Sequence, residues 1–135
     1  MDKQDYDKFL QRDRFAKFIG LEVTEVKKGY AVAQVTITDN HLNEFDVVQG
    51  GLTFTLADYA FAAAANFGGQ KAVGINITIS YFQPPQGKVL TAIAQELHAK
   101  NKLASYNVEV RDEYENLVAV FIGMVYRKRE PLKYD

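Results

Sequence analysis

The sequence predicts an α+β protein: one long buried helix among five to six mostly antiparallel strands, preceded by an N-terminal helix. Two observations carry this. From Gly50 to about Asn66 the residues are apolar or small nearly all round, including the run Ala-Phe-Ala-Ala-Ala-Ala from Ala60 to Ala65, and a helix apolar on every side is a buried one. On both sides of it, apolar and polar residues alternate with the period of two expected of half-buried strands. The 135 residues are 47% hydrophobic and 24% charged. That is the size of one globular domain with one sizeable core, and a single domain is expected over 1–135.

The elements follow in order. Residues 3 to 19 place Tyr6, Phe9, Leu10, Phe15, Phe18 and Ile19 among charges at a rough helical period, so one amphipathic helix is expected, stopped by Gly20. From Leu21 to Thr38 the period changes. After a turn at Lys27-Lys28-Gly29, Ala31, Ala33, Val35 and Ile37 share one strand face. Residues 39 to 48 are rich in turn formers and read as a loop. The central helix ends at Gly68-Gly69. Val73, Ile75, Ile77, Ile79 and Tyr81 then alternate strictly with polar or small residues, up to a turn at Pro84-Pro85-Gln86-Gly87. Val89 to Leu97 is a weaker strand. Tyr106, Val108 and Val110 mark another, Asp112 to Asn116 a turn, and Leu117 to Tyr126 a last strand with Val118, Val120, Ile122 and Met124 on one face. The sheet is the only large apolar surface available to cover the helix. A sheet wrapped round it, the hotdog arrangement, is the simplest layout, although pattern alone leaves other α+β layouts open.

Charge and composition narrow the function. Sixteen basic and 17 acidic residues leave a formal charge of -1, so no global field draws the chain to nucleic acid or an anionic membrane. The absence of cysteine removes disulfides, thiolate nucleophiles and thiolate metal sites. His41 and His98 have no second His or Cys at ligand spacing; both are read as surface residues, and no metal or cofactor is expected. The first residues alternate charges where a signal peptide needs an apolar run, which points to the cytoplasm. Residues 47–70 carry one charge, but their four glycines, Thr53, Thr55 and Asn66 fit a buried helix better than a membrane span.

That one charge is Asp58. A carboxylate among alanines and aromatics either bonds a neighbour and anchors the fold, or is an acid held near neutrality for chemistry. Gly50-Gly51 at the helix start leaves backbone N–H groups open to a ligand at the positive end of the dipole, which can serve as an oxyanion hole or merely as a tight turn. Eight residues separate Gly50 from Asp58, or about 12 Å along a helix. Donor and base must both lie within about 3 Å of one reacting carbonyl. Two antiparallel copies of the helix would bring Gly50 of one chain to Asp58 of the other, so a homodimer is expected as the minimal active unit, with pairing into tetramers left open.

These residues resemble the PaaI-type thioesterases, the phenylacetate-pathway branch of the hotdog superfamily. The family pattern has an asparagine, a His-Gly-Gly, and then Leu-Ala-Asp with an alanine-rich continuation. Asn43, Gln49-Gly50-Gly51 and Leu56-Ala57-Asp58 stand in those places. Residues 15–23, Gly29-Tyr-Ala, Ile79-Ser-Tyr-Phe-Gln-Pro, Tyr106-Asn-Val-Glu-Val and Val118-Ala-Val-Phe-Ile-Gly extend the resemblance over nearly the whole chain. It implies hydrolysis of an acyl-CoA thioester, with Asp58 as general base or nucleophile, the Gly50 amide polarising the carbonyl, and Asn43 orienting water or thioester. Gln49, Gly51 and Tyr81 would contact substrate, and Lys100 and Lys102 would meet the CoA phosphates unless they are ordinary turn charges. Two positions depart from the pattern. Gln49 replaces a histidine and cannot titrate. Asp46 replaces a glycine and brings a second carboxylate toward the site, where it would raise the pKa of Asp58 if close. A non-catalytic acyl-CoA binding protein is the alternative reading. A hotdog hydratase ranks last, because the helix offers no histidine beside the carboxylate.

Overall fold

A computed structural model describes residues 2–132. The central helix, α3, runs Gly50–Asn66, and six strands surround it: β1 Glu22–Lys27, β2 Tyr30–Thr36, β3 Gln70–Tyr81, β4 Val89–Lys100, β5 Leu103–Asp112 and β6 Leu117–Pro131. They form one antiparallel sheet in the order β1-β2-β4-β5-β6-β3. This is the expected hotdog arrangement. Small residues bring helix and sheet together: Ala31 and Ala33 on β2 and Ala92 and Ala94 on β4 are fully buried, as are Ala57, Ala60 and Ala63 on the helix. With no long side chains between them, the backbones approach closely and Leu56 and Phe61 fill what remains, each contributing about 1.5–3 kcal/mol by burial.

The N-terminal segment is two helices, not the single one expected: α1 Lys3–Leu10 and α2 Arg14–Phe18. Asp13 makes the break. It adopts an extended conformation and its Oδ1 accepts the Ala16 N–H at 3.0 Å, an N-cap that competes with helix continuation. Two tyrosine hydroxyls hold the segment on α3, Tyr6 donating to the Ala63 carbonyl at 2.6 Å and Tyr59 to that of Leu10 at 3.1 Å.

Two strand faces also differ from the alternation. On β3 the register shifts between Gly74 and Asn76, leaving Ile75 exposed at a bulge with Ile77 and Ile79 turned to the core. On β6 the buried side is Ala119, Phe121, Gly123 and Val125, whereas Ile122 is exposed and Val120 and Met124 half-buried. Both faces of that strand are apolar, so periodicity identifies them without saying which is inward.

Candidate active site

The loop ahead of α3 is a small hairpin. Leu42 and Val48 form a bridge, the Asn43 N–H donates to the Val47 carbonyl at 2.8 Å, and the Gln49 N–H donates to that of His41 at 2.9 Å. Asn43 Oδ1 accepts the Phe45 and Val47 amides at 2.9 and 3.2 Å, so only its Nδ2 is left to reach a ligand. Asp46 sits at the tip with φ 59°. Glycine occupies such left-handed positions freely and aspartate is among the residues that tolerate them, which gives Asp46 a backbone reason to stand where the family pattern has glycine.

Gln49 is the N-cap of α3, its Oε1 accepting the Gly51 N–H. The Leu52 N–H donates to the Gln49 carbonyl at 2.9 Å. Among the described residues, the Gly50 N–H alone of these first-turn amides has no acceptor, and Gly50 is exposed. Tyr81, at the end of β3, donates its hydroxyl to the Gly50 carbonyl at 3.0 Å and is 52% exposed. Among the aromatics on and around α3, Phe61 and Tyr59 are buried and Phe54 packs on Phe121, whereas Tyr81 borders the helix start.

Asp58 lies on the side of α3 that the sheet leaves uncovered. Gly51, Thr55, Asp58, Ala62 and Ala65 recur at steps of four and three and are the residues of the helix that escape full burial, with Gly50 and Phe54 at their margin. No hydrogen bond or ion pair reaches the Asp58 carboxylate among the described residues. Burial pushes its pKa above the ordinary aspartate value, and the negative charge of Asp13 adds to the shift. Asp46, expected as the second carboxylate, takes no part in it. Asp13 is the residue that sequence reasoning missed, and its signal was the Asp-Arg-Phe-Ala start of α2.

His41 is not a surface residue: only 9% exposed, it bonds on both sides of its ring. His98 is exposed as expected. Lys100 and Lys102 border a cleft of about 720 Å³ with Leu103, Met124 and Tyr126, and the Lys102 ammonium sits 5.9 Å from the Tyr126 ring centre. Within one chain they are remote from Gly50. Leu103 pairs with Tyr126 and that with Val73, at the opposite end of β3 from Tyr81; Val73 and Tyr81 are about 26 Å apart at strand spacing. A second cleft, about 760 Å³ between α2, β1, β2 and His41, includes neither Gly50 nor Asp58.

The thioesterase superfamily's sequence profile matches residues 45–119, more than half the chain and including both Gly50 and Asp58. The chain belongs to the thioesterase superfamily. Within it, the acyl-coenzyme A thioesterase PaaI of Escherichia coli strain K12 is 36% identical over 118 residues, covering 87% of this chain and 84% of the relative. The structure of the E. coli PaaI protein from the phenylacetic acid degradation operon superposes with a TM-score of 0.91 at 32% identity, covering 97% of this chain and 96% of the other. The 1,4-dihydroxy-2-naphthoyl-CoA hydrolase of Listeria monocytogenes is 28% identical over 76% of this chain and 85% of its own length. The PaaI-type resemblance of the motifs therefore holds at both sequence and fold. No helix among the described residues is long and apolar enough to cross a membrane.

Proposed function

We propose that this thioesterase hydrolyses an acyl-CoA to a carboxylic acid and free CoA, with Asp58 as general base or nucleophile and the Gly50 amide as oxyanion donor. The observation that carries the reading is that a partnerless carboxylate and a partnerless N–H occur on the same uncovered side of one helix. As base, Asp58 takes a proton from water as its oxygen attacks the thioester carbon, while the negative charge gathering on the carbonyl oxygen is met by the Gly50 N–H. The intermediate then collapses, breaking the C–S bond and releasing CoA as a thiolate that takes up the proton. Because a thiolate leaves readily, one carboxylate and one donor form a sufficient set, with Asn43 Nδ2 free to orient water. The CoA esters in the names of the E. coli and Listeria relatives supply the substrate class.

The two groups serve one carbonyl only across a homodimer, because eight residues of helix separate them by about 12 Å. The sheet edges support that assembly. β1 carries Glu22, Glu25 and Lys27 in six residues, the charged protection usual at a free edge. β3 has twelve residues with Lys71 as its one charge, and beyond β6 it has no strand partner among the described residues. An antiparallel second copy on β3 would lay the two α3 helices side by side in opposite directions. The Lys100–Lys102 turn, remote from Gly50 in its own chain, would then have its route to CoA phosphates through the partner's site.

Purified protein assayed for thiol release on short, medium, long-chain and aryl-acetyl CoA esters tests the reading. Turnover should fall about 10²–10⁴-fold in Asp58→Ala and about 10²–10³-fold in Gly50→Pro. Proline is accepted at the first helical position and deletes just the N–H. A β-carbon at Gly50 would meet nothing closer than the Tyr81 ring at 3.5 Å. Turnover that survives Asp58→Ala contradicts the mechanism, and binding without turnover would establish the non-catalytic alternative.

A further inference from the structure

We propose that His41 is a positioning residue for the Gly50 amide, acting through the hairpin that delivers the chain into α3. His41 Nδ1 accepts the Thr38 N–H at 3.0 Å, so Nε2 carries the ring proton and donates to the Ile19 carbonyl, 2.8 Å away and 22 residues earlier. The ring thus bonds at once to Thr38, two residues past β2, and to Ile19, at the end of α2. The His41 carbonyl in turn accepts the Gln49 N–H at 2.9 Å, and Gln49 is the cap that immediately precedes Gly50. The Leu42–Val48 bridge and the two amides on Asn43 Oδ1 stiffen what lies between. The path from Ile19 through the imidazole to Gln49 is closed by a hydrogen bond at each end. Where the open N–H of Gly50 points is therefore set through a side chain nine residues earlier. Such a site gains from this because an oxyanion donor works only at hydrogen-bond distance from one point, and small displacements cost rate rather than binding.

This inference rests on Gly50 as the oxyanion donor, and its test keeps the two claims apart. His41→Asn retains an acceptor for Thr38 but is too short to reach Ile19, whereas His41→Gln places an N–H at the distance of Nε2. In His41→Asn, kcat should drop about tenfold with KM within about twofold, and hydrogen exchange at the Gln49 amide, followed by NMR, should quicken about tenfold. His41→Gln should recover most of both. A purely structural histidine would lower the melting temperature and leave kcat of the folded protein alone. Folded His41→Asn with wild-type kcat, or with unchanged Gln49 exchange, overturns the proposal. Should that variant not fold, the wild-type protein decides: Gln49 must exchange more slowly than Glu44, whose amide has no acceptor among the described residues, and equal rates overturn it. If the wild-type protein hydrolyses no CoA ester, the functional reading fails, while exchange at Gln49 still decides whether His41 sets the loop.

Discussion

Asp58 combines a chemical asset with a stability cost, and both follow from its surroundings. Burial first, and the Asp13 charge second, raise its folded-state pKa above the ordinary aspartate value of 3.8. The folded protein therefore holds the Asp58 proton more tightly than the unfolded chain does. The resulting penalty on stability is absent below the unfolded pKa, grows as pH rises toward the folded pKa, and is complete above it. Asp58→Asn should remove that penalty at neutral pH and so raise the melting temperature, while lowering turnover about 10²–10⁴-fold. The gain should shrink as the pH is lowered through the aspartate range, and a melting temperature below that of wild type at pH 7 would contradict the sign. Asp13 offers a separable test. A general base works deprotonated, so kcat/KM should rise with pH through the Asp58 pKa. Replacing Asp13 by Asn removes a like charge while leaving a side chain that can still cap α2. The acid limb of the profile should move to lower pH, and a limb that stays in place would show that Asp13 does not tune the base.

Among the elements, the fit between α3 and the sheet depends on a glycine that the alternation of β6 does not single out. A β-carbon at Gly123 would lie 2.8 Å from two atoms of the Phe61 ring and 3.0 Å from Phe121, with all three residues in the core. Gly123→Ala should therefore destabilise the protein by about 1–3 kcal/mol, measured by urea unfolding; a loss under about 0.5 kcal/mol would mean that the ring moves aside freely. The same strand shows what the sequence could and could not display. Helix α3 was legible to its ends, because Gly50-Gly51 and Gly68-Gly69 bracket an apolar run that only a buried helix explains. The β1–β2 hairpin was legible too: Gly29, at φ 75°, occupies the turn that Lys27-Lys28-Gly29 suggested. The inward face of β6 was not, since valine, isoleucine and methionine line the side that points away from α3. The break at Asp13 and the bulge at Ile75 were hidden for another reason. Each is a local choice, a capped start and an extra residue, made where the period-based reading expects continuity.

At the scale of the molecule, the sequence offers the candidate site as a list of residues but not as a place. Gly50 and Asp58 announced themselves through the glycine pair and the lone charge, and the chain's own geometry keeps them about 12 Å apart. On the proposed reading a second copy brings them together, and that can be tested without any structure of the assembly. In the proposed dimer each site takes Gly50 from one protomer and Asp58 from the other. Asp58→Ala homodimers lack both bases and Gly50→Pro homodimers lack both donors. A mixed dimer has one site with both groups intact and one with neither. Mixing the two inactive variants in equal amounts and letting subunits exchange makes half the dimers mixed, so about a quarter of wild-type turnover should return. Subunit exchange can be checked by native mass spectrometry on one isotopically labelled variant. Mixed dimers that form and remain inactive would place base and donor within one chain, and would require some other group than the Gly50 amide to meet the oxyanion beside Asp58.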